Sequence, residues 1–154
     1  MGISLEVSFN DFLKKEAPFL TKIQIKKLID QGFYFGGHSV SHPLYKQLNL
    51  KKQLTETIDS VNYVCNEFGL TQKLFSFPFS DDAISKDFFI EINKEEITSF
   101  GSAGLKDEDL DFHFQRIPME YSKKYSAKQI IKGELFYHIL KKIFGYQRIK
   151  RSKY

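Results

Sequence analysis

The chain lacks tryptophan and carries one cysteine and four prolines in 154 residues. With Cys65 alone, neither an intrachain disulfide nor a cysteine-rich zinc site can form. No apolar run approaches the roughly 20 residues that a membrane-spanning helix needs, so no membrane span is expected. The opening MGISLEVSFNDFLKK lacks the pattern of a secretory signal, which makes a cytoplasmic location the expectation. Internal repeats and low-complexity linkers are missing too, and a single domain over 1–154 is expected.

Neither sign of charge dominates. Lys and Arg total 23 against 19 Asp and Glu, a net +4. Much of the excess sits in a basic tail, 146–154, with Arg148, Lys150, Arg151 and Lys153, which reads as a solvated end. The other positive charges are interspersed with Asp and Glu, so no nucleic-acid partner is expected. What the chain does have is phenylalanine: 16 Phe and 8 Tyr, in a composition that is 42% hydrophobic and 27% charged. That is ordinary globular composition, with aromatics to spare for buried strands and helix faces.

Helix and strand signals alternate. Thr21 and Gln24 form a T-x-x-Q capping box, with Leu20 and Ile25 as the hydrophobic staple, Ile25, Leu28 and Ile29 as the apolar face, and Gly32 as the stop. Phe33-Tyr34-Phe35 reads as a strand entering Gly36-Gly37. Asn49 caps a helix whose apolar face is Leu50, Leu54, Ile58, Val61, Cys65 and Phe68, ended by Gly69. Strands are predicted at 74–77, 97–100 and 112–117, and a short helix starts near Ser85 with Phe88, Phe89 and Ile92 inward. Ser126 and Gln129 open a last helix with Ile130, Ile131, Leu135, Ile139, Leu140 and Ile143 on its apolar side and Gly145 at its end. This rhythm predicts an α/β fold, a mostly parallel sheet flanked by helices. In such sheets, sites form beyond the carboxyl ends of strands, here after Phe35 and after Phe77.

The first of those segments is Gly36-Gly37-His38-Ser39-Val40-Ser41-His42-Pro43. Two imidazoles four residues apart converge on one metal ion when the backbone turns once between them. The glycines permit a sharp turn, and Pro43 disfavours helical geometry at His42. His113, within a strand-like run, and His138, on the last helix, read as structural or exposed.

Residues 32–43 resemble the G-x-H-(S/T)-x-x-H-P segment of polysaccharide deacetylases, the NodB-homology family. Phe75-Ser76-Phe77-Pro78-Phe79-Ser80-Asp81 is similar to that family's groove-wall motif, and Arg116-Ile117-Pro118-Met119 resembles its late strand. The resemblance spans roughly 17–145 and implies a distorted (β/α) barrel that removes acetyl groups from N-acetylated amino-sugar glycans. It also implies one divalent metal, Zn²⁺ before Co²⁺ or Ni²⁺, held by His38 and His42, with Phe77, Pro78 and Phe79 against the sugar. The only match to the family's first motif, which supplies the catalytic base and a metal aspartate, is Ser8-Phe9-Asn10-Asp11-Phe12. Taken as that motif, it makes Asp11 the third ligand and puts an amide, Asn10, where the base belongs; an amide cannot accept the proton. Taken as a chance match, the chain is an N-terminally incomplete, partial barrel: a fragment, a split-gene product or a degenerate relative.

The catalytic base therefore stays unknown. Open sheet edges in a partial barrel also imply self-association. Two functions follow: a metal-dependent carbohydrate deacetylase-like hydrolase, or a non-catalytic carbohydrate-binding or interaction module derived from it.

Overall fold

The computed structural model describes residues 8–119 and 124–151. The chain divides into two compact units, Met1–Phe35 and Gly36–Tyr154. Lys153 of the basic tail lies outside the described residues.

The first unit holds two helices. Helix α1 (Phe9–Glu16) starts at Ser8, whose hydroxyl accepts the Asp11 N–H, and ends at Ala17 in a left-handed conformation. Helix α2 (Lys22–Asp30) carries the expected capping box of Thr21 and Gln24 in both directions. It closes as a Schellman turn: Gly32, at φ +89°, donates to the Ile29 carbonyl, and Phe33 donates to that of Leu28. The strand expected at Phe33–Phe35 does not form. Three successive bulky rings do not alternate between a core and a solvent face, and Phe33 and Tyr34 are exposed.

The second unit contains helix α3 (Leu50–Phe68), strand β1 (Leu74–Ser76), helix α4 (Lys86–Lys94), strands β2 (Thr98–Gly101) and β3 (His113–Gln115), and helix α5 (Ala127–Ile143). The strands form an open parallel sheet in the order β1-β2-β3, with Phe75 opposite Ser99 and Ser99 opposite His113. This is the expected α/β arrangement of a parallel sheet with helices, and the three strands do not close into a barrel. Beyond β1, Gly37 adds one parallel bridge to Phe75. Among the described residues, no helix is long and apolar enough to cross a membrane.

Phenylalanine builds the core. Phe75 and Phe77 from β1 and its end meet Phe88 and Phe89 from α4, with Tyr45, Val61, Ile84, Ile92 and Ile97 around them. Phe77 sits edge-on to Tyr45 and Phe75, at centroid distances of 5.3 and 5.1 Å. Each ring fully buried in this way contributes about 1.5–3 kcal/mol.

Two helices depart from their predicted faces. On α3 the apolar positions Leu50, Leu54, Ile58 and Cys65 are half-buried, while Gln53, Glu56, Thr57 and Ser60 are buried beside Val61. Gln53, Glu56 and Thr57 bond residues 40–48, Ser60 donates to the Thr57 carbonyl of its own helix, and bonding lets them sit inside. On α5, Ile131, Leu135, Ile139 and Ile143 face solvent, whereas Lys141 is buried and His138 Nδ1 donates to the Leu105 carbonyl at 2.6 Å. The side of α5 turned to the domain is mixed: Ile130 and Leu140 are half-buried as expected, beside Glu134, His138 and Lys141.

Candidate functional site

Glycine brings the His38–His42 loop against the sheet. A Cβ on Gly36 would lie 2.4 Å from the Leu74 carbonyl oxygen, and one on Gly37 would lie 2.6 Å from Ser60 Oγ. Two hydrogen bonds fix the approach: Gly37 N–H to Leu74 O at 2.8 Å and Ser76 N–H to Gly37 O at 2.9 Å. Glu56, reaching up from α3, then gathers the loop. Its carboxylate accepts the Val40 and Ser41 N–H groups and the Ser41 hydroxyl, each at 2.9 Å, and pairs with Lys52 at 3.0 Å. Burial alone would raise the Glu56 carboxyl; the hydrogen bonds from Ser41, Lys52 and Val40 outweigh it and hold it at about 2. Ser39 and His42 both take left-handed φ values, +67° and +54°, and Ser39 Oγ accepts the His42 N–H.

The loop places the two imidazoles together. Their centroids are 5.0 Å apart at a steep interplanar angle of 68°. His38 Nδ1 donates to the Ser76 carbonyl at 2.7 Å, which turns Nε2 outward as the free ligand atom. Phe79, at φ +59°, sets its ring edge-on to His42 at 4.7 Å. Beside His38 opens a cleft of about 550 Å³, largely apolar, with Val40, Asp59, Tyr63 and Val64 among its walls.

Of the residues expected on the sugar-binding wall, Phe79 is exposed and reaches the histidines. Phe77 and Pro78 are buried; Phe77 belongs to the core and is no sugar contact, because the end of β1 turns it inward onto α4. Asp11 lies exposed in the first turn of α1, in the first unit, while His38 and His42 belong to the second. Among the described residues, no cluster of three metal-ligating side chains includes the histidine pair.

A second constellation was not foreseen. Asp81, Glu108 and His113 bring ligand atoms within 4.8 Å of one another and could hold a metal ion. Here the cation among them is the Arg151 guanidinium, bonded to Asp81 and Glu108 with its side chain 3% exposed. So Arg151 is not part of a solvated tail. His113 Nε2–H donates to Asp81 at 3.0 Å, Gln115 adds a bond to the same carboxylate at 2.9 Å, and Arg151 stacks on the Phe89 ring. Burial would raise Asp81, yet the bonds from His113, Arg151 and Gln115 and the Arg151 charge hold it far below the usual carboxylate range. Burial likewise opposes the charge on Arg151, and Glu108 and Asp81 more than compensate, raising it.

Ser99 Oγ lies 2.8 Å from His113 Nδ1, completing a serine–histidine–aspartate chain. Ser99 and His113 are wholly buried, so no substrate reaches the hydroxyl, and the chain is structural. His113 thus behaves as the sequence suggests. The role of Arg151 had no local signal, since its partners lie 70 and 43 residues away.

No family model matches this chain, and neither a curated protein nor a solved structure matches it.

Proposed function

We propose that the chain is a polysaccharide deacetylase-like domain that binds a divalent metal through His38 and His42 and takes an N-acetylated sugar in the adjoining cleft. The observation that carries this reading is the pair itself: two rings 5.0 Å apart, one with its Nδ1 committed to Ser76 and its Nε2 outward. Two exposed imidazole nitrogens suit Zn²⁺, Co²⁺ or Ni²⁺ better than calcium or magnesium. When bound, such an ion supplies Lewis acidity for a carbonyl and for water. The chain's own residues supply position. Glu56 holds the loop, Ser76 orients His38, and Phe79 backs His42. The apolar cleft wall at Val40 and Val64 offers an acetyl methyl a place out of water.

The absence of a third ligand beside the pair, among the described residues, favours a second reading: a glycan-binding module that keeps the site without the chemistry. One experiment separates them. Calorimetric Zn²⁺ titration and acetate release from N-acetylglucosamine oligomers are measured on the chain and on a His38→Ala/His42→Ala double variant. Zinc binding that the double variant loses is expected. Acetate release that needs both zinc and the histidines establishes the hydrolase, and oligomer binding without release establishes the module. Equal zinc uptake by both proteins overturns both readings.

A further inference from the structure

At the C-terminal end of α5 lies a second cleft, of about 700 Å³, within the size range of small-ligand pockets. Four cations line it, Lys106, Lys141, Arg148 and Lys150, against Asp82 in the wall and Asp109, which pairs with Arg148 at 3.7 Å. The wall that carries Arg148 and Lys150 is pinned: Asp107 N–H donates to the Gln147 carbonyl at 2.8 Å, and Ile149 N–H to that of Asp107 at 3.0 Å. Arg148, Ile149 and Lys150 all line the cleft along this stretch.

Lys141 is the unusual member. It is 8% exposed, and its ammonium lies 4.0 Å from the centre of the Tyr137 ring. Among the described residues its ammonium has neither a hydrogen bond nor an ion pair. The lysine stem is covered while the ammonium itself opens on the cleft, where the ring face is its partner among the described residues. Lysines are favoured in the last turn of a helix by its dipole, but Lys142 meets the same helix end from solvent. The dipole therefore does not account for a lysine drawn into a cleft wall.

We propose that this cleft binds a small phosphorylated ring compound, its phosphate held by Lys141 and the cations beside it and its ring laid against Tyr137 and Tyr146. A phosphomonoester dianion matches the surplus of positive charge, lysine serves phosphate as a point charge, and arginine serves it as a fork. The tyrosines offer apolar faces to a flat or puckered ring. A sugar phosphate and a nucleoside monophosphate share this chemistry. The cleft shares no wall residue with the one beside His38, so it stands independently of the deacetylase reading.

The test is titration of the full chain at low salt, by calorimetry and amide NMR. The probes are N-acetylglucosamine 6-phosphate, AMP, their unphosphorylated counterparts and a thymidine oligonucleotide. At least one monophosphate should bind about tenfold or more tighter than its neutral counterpart, with shifts confined to residues 106 and 137–150. Lys141→Met should weaken it about tenfold while melting close to the parent, since methionine keeps the packed stem and only a cation–ring contact is lost. Should Lys141→Met fail to fold, the exposed Arg148→Gln/Lys150→Gln pair must weaken binding instead. Binding indifferent to the phosphate, or unchanged in these variants, overturns the proposal. So does an oligonucleotide that binds more tightly than either monophosphate, which would make the surface a nucleic-acid track.

Discussion

The His38–His42 loop and the Asp81–Glu108–His113–Arg151 knot are made of the same kinds of residue and end up with opposite properties. The knot lies inside, and its charges are spent on one another: Arg151 bonds both carboxylates, and His113 bonds Asp81 and Ser99. The loop lies outside; its carboxylate, Glu56, is spent on backbone amides, and the outward imidazole nitrogen of His38 is not spent. Unused bonding capacity at the surface, rather than a concentration of titratable groups, is what makes a ligand site. Metal-ligand geometry alone would have chosen the knot.

The comparison breaks most readily at Arg151. Arg151→Met leaves Asp81 and Glu108 buried without their cation, and removing one partner of a buried ion pair costs about 3–5 kcal/mol. Urea unfolding of the variant should show that loss, and a change under about 1 kcal/mol would mean the knot contributes little. Zinc added to the variant sharpens the point. A melting temperature restored by zinc would show that the three side chains accept a metal once the guanidinium is gone.

A smaller effect is expected at Glu56, whose charged hydrogen bonds are worth about 1.5–3 kcal/mol apiece in general. Glu56→Gln should cost about 2 kcal/mol and weaken zinc uptake, because the amide keeps one acceptor oxygen for Val40 and Ser41 N–H but loses the charge, the second oxygen that takes the Ser41 hydroxyl and the Lys52 pair. Acid should act through the same group. The Glu56 carboxyl falls from an ordinary 4.5 to about 2 on folding, so the unfolded chain takes up the proton first. Its stabilisation is complete above about pH 4.5 and disappears as the pH falls toward 2. Asp81 acts in the same direction at lower pH. The acid limb of the melting curve should be flatter in Glu56→Gln than in the parent; identical limbs would remove Glu56 from the account.

Local signals were legible where the cause was local. The capping boxes at Thr21 and Ser126, the caps at Asn49 and Ser85 and the left-handed Gly69 each follow from residues within one turn, and all are present. The paired histidines and their glycines were legible for the same reason. Illegible were features created by distant partners. The polar face of α3 is buried because the loop just before it folds back over it, with partners 8 to 15 residues away and so beyond the helix's own turn-by-turn signals. The strand expected at Phe33–Phe35 had composition without a partner. Arg151 looked like a solvated charge until the fold carried Asp81 and Glu108 to it.

The smallest effect separates stability from site most cleanly. His42 holds φ +54°, a left-handed conformation that costs a non-glycine residue about 1–2 kcal/mol, and its ring is exposed, touching His38 and Phe79. Glycine takes that conformation freely but gains chain entropy when unfolded, which offsets part of the relief. His42→Gly should therefore melt at the parent temperature or slightly above it, a gain of at most about 1 kcal/mol, while losing zinc binding. His113→Ala makes the contrast. It empties a wholly buried position and strips a bond from Asp81, and it should destabilise by about 3 kcal/mol. If His42→Gly instead falls as far as His113→Ala, the loop is part of the scaffold, and the distinction between a strained, exposed ligand pair and a satisfied, buried knot fails.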